Sequence, residues 1–172
     1  RLNNEAVRFC TRYFGHRFPF AKYDLVLIPH FPYRGMEHAG ATFLDEDAAL
    51  LPSAHGSAER FQRALLVFHE TAHQWMGDLV TMRWFVDLWI KQGFANFIAF
   101  KLAARVCSRL YTRLAFHDLK VSAWEADRTR GATALHHPLA DLMEAKSAYN
   151  TIVYAKAPAI LKMVEHRLGA HV

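Results

Sequence analysis

The chain has 172 residues, 52% hydrophobic and 22% charged, which suits one domain (residues 1–172) with a sizeable core and excludes a disordered chain. Its formal net charge of +5 is spread along the sequence without a Lys/Arg block. That argues for solubility and attraction to acidic partners, and nucleic acid is not expected among the partners. Cys10 and Cys107 are too few for a disulfide framework and form no C-x-x-C metal motif, so they read as free buried thiols. No apolar run approaches the ~20 residues of a membrane span, and neither a signal-peptide pattern nor an N-x-S/T sequon occurs. The numbering starts at Arg1 rather than Met, which reads as an excised piece or a processed chain.

Asn3 or Asn4 is expected to cap a first helix running to about Phe14, with Val7, Cys10 and Phe14 on one face and Gly15 ending it. Tyr23 to Ile28 reads as a strand closed by Pro29; being apolar almost throughout, it is expected to be buried on both faces. Pro32 to Gly40 is rich in turn residues, and within it Glu37 alone is an ordinary loop carboxylate. Ala41 to Leu44 follows as a short strand. Asp45, Glu46 and Asp47 form an acidic cluster read as solvated.

A long helix is expected after Ser57, a plausible N-cap, ending near Gly77. In it Phe61, Leu65, Phe68, Ala72 and Trp75 or Met76 recur at three- and four-residue steps, the period of a helix with one buried face. Asp87 is expected to cap the next helix, about Leu88 to Val106. Its Gly93 costs some stability and would permit close packing against the preceding long helix. A further helix is read over about Ser108 to Asp127, loop from Arg128 to Pro138, and a last helix from about Tyr154 to Arg167 ending at Gly169. Several helices and few strands give an α+β, mostly helical domain.

Late in the long helix stands His69-Glu70-Thr71-Ala72-His73, an H-E-x-x-H pentamer. Residues four apart share one helix face, so His69 and His73 can offer two imidazole nitrogens to one ion. Glu70 lies roughly 100° round the helix from His69, beside such an ion and free to hold a water. The arrangement suits metal-assisted hydrolysis. The bare pentamer also fits a helix with surface histidines and a solvated glutamate. Tyr154, taken alone, reads as a core tyrosine at a helix start.

The residues around the pentamer carry a resemblance. His69 to Met82 (HETAHQWMGDLVTM) resembles the core of the aminopeptidase N family of gluzincin zinc peptidases, which also includes leukotriene hydrolases. Asp87 to Ala95 (DLWIKQGFA) is similar to that family's D-L-W-L-x-E-G-F-A block. Gly35-Met36-Glu37-His38 resembles its G-x-M-E-N motif, and Tyr154-Ala155-Lys156-Ala157 its Y-x-K-G block. The four motifs stand in the family's order.

The resemblance implies a thermolysin-like metallopeptidase catalytic domain, truncated at both ends, with further domains in a longer parent chain. It implies one zinc ion held by His69, His73 and the residue at position 92, with Glu70 as general base to the attacking water. Glu37 would bind the α-ammonium of a peptide with a free amino terminus, with Gly35 and Met36 lining that subsite. Tyr154 would donate to the oxyanion of the tetrahedral intermediate.

Three positions depart from the pattern. His38 replaces Asn, and Ala157 replaces Gly. Eighteen residues separate His73 from Gln92, which stands where the family places its third ligand, a glutamate. An amide oxygen is neutral and a poorer zinc ligand than a carboxylate. The expectation is a zinc aminopeptidase weakened by Gln92. The alternative is a catalytically impaired relative acting as a peptide-binding or scaffold domain. A leukotriene-type epoxide hydrolase is a third, minor reading.

Overall fold

The computed structural model describes residues 1–52 and 54–169. Its helices dominate a small three-stranded sheet, in agreement with the mostly helical expectation.

Helix α1 (Leu2–Phe14) begins ahead of the asparagines expected to cap it. Its hydrogen bonding starts with Glu5 N donating to Arg1 O at 3.2 Å, so Asn3 and Asn4 lie inside the helix and no side chain caps it. It ends at Gly15 as expected. Cys10 is fully buried together with Ala6 and Phe9, while Val7 and Phe14 flank them partly buried.

Strands β1 (Asp24–Ile28), β2 (Gly35–Met36) and β3 (Ala41–Asp45) form a sheet of order β1-β3-β2. β1 runs parallel to β3 and β2 antiparallel to it. The expectation that β1 is buried on both faces is corrected: Leu25, Val26 and Leu27 are 37–39% exposed. β1 is an edge strand, paired on one side only, and apolar composition alone could not reveal that. The acidic cluster after β3 is not merely solvated. Asp45 Oδ2 accepts from Ala48 N at 3.2 Å and caps the short helix α2 (Glu46–Ala49).

Helix α3 (Ser57–His73) is capped one residue earlier than expected, where Gly56 N donates to Glu59 Oε2 at 2.9 Å. Phe61, Phe68 and Ala72 are buried on its expected face, with Trp75 just beyond. The helix stops at His73 rather than near Gly77, and Asp78 N and Leu79 N bond back to His73 O and Gln74 O. Helix α4 (Leu88–Val106) starts after Asp87 as expected, but the Asp87 side chain does not cap it and instead faces His136 Nδ1 at 3.3 Å. α1, α3 and α4 share one core in which Phe68, Ile98 and Ala72 are sealed from solvent. Phe68 and Ile98 each contribute about 1.5–3 kcal/mol on burial. That outweighs the ~1 kcal/mol that Gly93 costs the interior of α4.

Helix α5 (Arg109–Asp127) is capped by Ser108, whose Oγ accepts from Tyr111 N. Sequence periodicity missed helix α6 (Leu142–Ala148), although Asp141 marks its start by accepting from Met143 N at 2.8 Å and Glu144 N at 2.9 Å. The last helix does not begin at Tyr154. A π-helical turn over Ile152–Lys156 precedes α7 (Ala157–Leu168) and carries the tyrosine. Asn150 Oδ1 opens that turn by accepting from Ile152 N at 2.9 Å. Gly93 serves this junction rather than packing against α3: a Cβ on it would lie 2.6 Å from Ala157 Cβ. Among the described residues no helix is long and apolar enough to cross a membrane.

Candidate active site

The last turn of α3 and the first turns of α4 meet under the loop between β2 and β3. Gln74, fully buried just after α3, holds that loop in place. Its Oε1 accepts from Gly40 N at 2.8 Å and its Nε2 donates to His38 O at 3.3 Å. Tyr23 OH adds a second tie between sheet and helix through Thr42 Oγ1 at 2.9 Å and Thr71 Oγ1 at 3.1 Å. These bonds bring Glu37 over the histidines.

His69 Nε2 and His73 Nε2 lie 3.1 Å apart, and Gln92 Oε1 lies 3.2 Å from His73 Nε2. The other ring nitrogens are engaged. His69 Nδ1 donates to Asn96 Oδ1 at 2.7 Å and His73 Nδ1 donates to Met76 O at 3.0 Å. Asn96 Nδ2 in turn donates to Tyr154 O at 2.6 Å, which leaves its oxygen toward His69. With protons fixed on both Nδ1 atoms, the neutral rings present Nε2 lone pairs. Burial, then the proximity of His73, drives His69 down to about 3; burial also lowers His73. Both rings therefore stay neutral at pH 7.

Three acceptors thus face one another with no donor between them, the electrostatic signature of a cation site. Donors at about 2.0–2.1 Å from a tetrahedral ion stand about 3.3–3.4 Å apart, so the spacing fits. The donor chemistry fits less well, because the third donor is an amide. Among the described residues no group of three His, Cys, Asp or Glu side chains is placed to hold an ion.

Two carboxylates flank this triangle. Glu70 is 5% exposed and its Oε2 has no hydrogen-bond partner. Burial, reinforced by Glu37, holds its carboxyl well above the usual range. Gly35 presses on it, and any side chain there would force Glu70 to move: a Cβ at position 35 would lie 2.3 Å from Glu70 Oε1. Met36 lies beside Gly35 on β2, half-buried. Glu37 is 7% exposed, with Oε1 3.7 Å from His73 Nε2. Burial works against its charge. The His73 ring in the protonated form it takes at low pH, and the Lys91 ammonium 2.7 Å from Oε1, more than offset that and bring it down to about 2.

Tyr154 faces the site from the π turn, its ring centroid 6.3 Å from that of His69. Burial, with Tyr149 and Glu37 adding, raises its phenol, which stays protonated. An open cleft of about 620 Å³ is lined by Tyr33, Gly35, His69, Glu70, Asn96 and Tyr154. Of the eight residues expected at the site, Gly35, His69, Glu70 and Tyr154 line this cleft; His73, Gln92 and Glu37 adjoin His69 through the contacts above, and Met36 is next to Gly35 in the strand.

Sequence reasoning missed Lys91, Asn96 and Asp78. Asn96 stands one turn after Gln92 on α4, so helical spacing could have found it. Asp78 sits inside the pentamer's motif, and burial, then Glu37, pushes its carboxyl up to about 7. His38 is exposed and its ring packs edge-on against Phe43 at 4.6 Å, while only its backbone serves the loop.

Helix α3 thus carries an H-E-x-x-H pentamer whose two histidines turn to one point beside a glutamine of α4. The sequence model described as "Peptidase family M1 domain" matches residues 2–172, and the chain belongs to that family. It is 32% identical over 98% of its length to a leucyl aminopeptidase of Saccharolobus solfataricus. It is 31% identical over 98% to a puromycin-sensitive aminopeptidase of Caenorhabditis elegans, and 32% identical over 96% to an aminopeptidase N of Haemonchus contortus. The chain spans only about a fifth of these relatives, 22%, 18% and 17% of their respective lengths.

Proposed function

We propose that this chain is the catalytic segment of a zinc-dependent aminopeptidase of thermolysin-like architecture, acting on peptides with a free amino terminus and weakened by Gln92. The observation that carries the reading is the convergence of His69 Nε2, His73 Nε2 and Gln92 Oε1, with no donor among them, beside two buried carboxylates. His69, His73 and Gln92 would hold one zinc ion. When bound there, zinc would polarise the scissile carbonyl and acidify the attacking water.

The chain's own groups supply the rest. Glu70, already inclined to hold a proton, takes one from the water and passes it to the leaving amine. Glu37 binds the α-ammonium in a charge-assisted contact, which makes the site an exopeptidase site. Gly35 and Met36 line that subsite with backbone. The Tyr154 hydroxyl donates to the oxyanion of the tetrahedral intermediate.

Zinc with two imidazoles and a carboxylate carries a net charge of +1, and with an amide +2. Water at the site should be no less acidic, so retention of the ion is the weak point: the anionic donor that offsets its desolvation is missing. Gln92→Glu is expected to tighten zinc by more than the roughly 10–100-fold that an outer-shell partner is worth, and to raise activity. Competition with a chelator measures the first, and release of a chromogenic amine from an amino-acid amide the second. Equal zinc affinity in the two proteins would overturn the reading.

One observation favours the alternative, an impaired relative that binds peptides without cleaving them. Rotated about its last bond, the Gln92 amide would donate N–H to the His73 Nε2 that lies within hydrogen-bonding range, which a glutamate carboxylate cannot do. Peptide binding without turnover at saturating zinc, in the unaltered protein and in its Gln92→Glu variant alike, would support it.

A further inference from the structure

Lys91 precedes the third metal donor, and the mechanism above gives it no task. Its Nζ nevertheless lies 2.7 Å from Glu37 Oε1, with the two side chains only 16% and 8% exposed. The lysine stem is held as well, since a Cβ on Gly77 would come within 2.9 Å of Lys91 Cε. The ammonium is thus wedged between the turn after α3 and the carboxylate. It also stands in the first turn of α4, where a positive charge opposes the helix dipole. A cation placed against that gradient and withdrawn from water needs a local anion, and the short contact to Glu37 supplies it.

We propose that Lys91 is an internal occupant of the amine subsite. Its ammonium is the same functional group as the α-ammonium of a peptide, and it holds the carboxylate oxygen that such an amine would take. This rests on the reading of Glu37 as the amine anchor. A free amino terminus binds only by displacing Lys91, so the chain discriminates against weakly held amines and the subsite is self-neutralised at rest. The site's apparent affinity for an amine falls in proportion to the fraction of time Glu37 is free.

Leucinamide and N-acetyl-leucinamide, titrated into the protein and followed by NMR, test this. Lys91→Met removes the charge and keeps the apolar stem. It should tighten leucinamide by on the order of tenfold if Lys91 holds Glu37 about nine-tenths of the time, and leave the acetylated compound within about twofold. In the unaltered protein, the ε-methylene resonance of Lys91 should move toward that of a solvated lysine as leucinamide is added, which serves equally if the variant does not fold. Leucinamide binding that is unchanged or weaker in Lys91→Met, or a Lys91 resonance that stays put at saturation, overturns the proposal. Glu37→Gln separates the two layers. If it weakens leucinamide while Lys91→Met has no effect, the amine anchor stands and the internal occupant falls. If it leaves leucinamide unaffected, both fall.

Discussion

Gly35→Ala would separate the position of Glu70 from its chemistry. Gly35 is not among the residues with positive φ, so its backbone accepts alanine and the effect is purely steric. The new Cβ would sit 2.3 Å from Glu70 Oε1, 2.5 Å from Cδ and 2.7 Å from Cγ. Ordinary contact needs about 3.5 Å, so the carboxylate must retreat by about 1.2 Å, the difference between the two. The side chain is only 5% exposed, and the room open to it is the edge of the cleft that it lines. Overpacking of this kind costs about 1–3 kcal/mol, or roughly 2–12 °C in Tm for a chain of this length. A displacement of about 1 Å costs on the order of 10²-fold in rate, and full loss of a general base about 10²–10⁴. In a Gln92→Glu background, Gly35→Ala should therefore lower kcat by about 10²–10⁴ while zinc affinity, measured by chelator competition, stays nearly constant. Full retention of kcat at equal zinc occupancy would refute the claim that Gly35 keeps Glu70 in place. Loss of zinc instead would assign the glycine to the metal donors.

Other expectations follow from single contacts. Asn96→Ala removes the acceptor that orients His69 Nδ1 and should weaken zinc by roughly 10–100-fold, read by the same competition. Glu70→Ala should cost about 10²–10⁴ in rate with zinc still bound; loss of the ion would show that Glu70 is a ligand instead. Cys10 is fully buried and its thiol is pushed up to about 12 by that burial, so it should resist alkylation at pH 8 until denaturant is added. Mass spectrometry of the alkylated peptides would detect early modification.

The parts of the site that sequence reveals are those set by helical spacing. His69 and His73 share a face because they are four residues apart, whereas Gln92 is found only through the resemblance to the family's second block. The pairing of Lys91 with Glu37 is different in kind. It joins a helix start to a loop through the docking of Gln74 under Gly40, and no local period encodes that contact. The same limit applies to β1, whose apolar run could not distinguish an edge strand from a central one. Two misplaced boundaries have local causes: Gly56 rather than Ser57 caps α3, and the π turn opened by Asn150 moves the start of α7 beyond Tyr154. From its motif alone, Gly35 reads as a backbone lining for substrate. Its tighter role, as the gap that admits Glu70, appears only when strand and helix are seen together.

The contact between Gly93 and Ala157 acts as a fulcrum. On one side of it, the residue before Gly93 is Gln92, the proposed third donor; on the other, three residues before Ala157, stands the tyrosine that faces the cleft. Asn96 bridges the same two segments, touching His69 and the Tyr154 carbonyl at once. Any tilt of α7 against α4 therefore reaches both sides of the cleft together. On the zinc reading proposed above, the hold on the ion and the placement of the phenol would then shift together, and a protein surface or domain that leans on α7 would affect both.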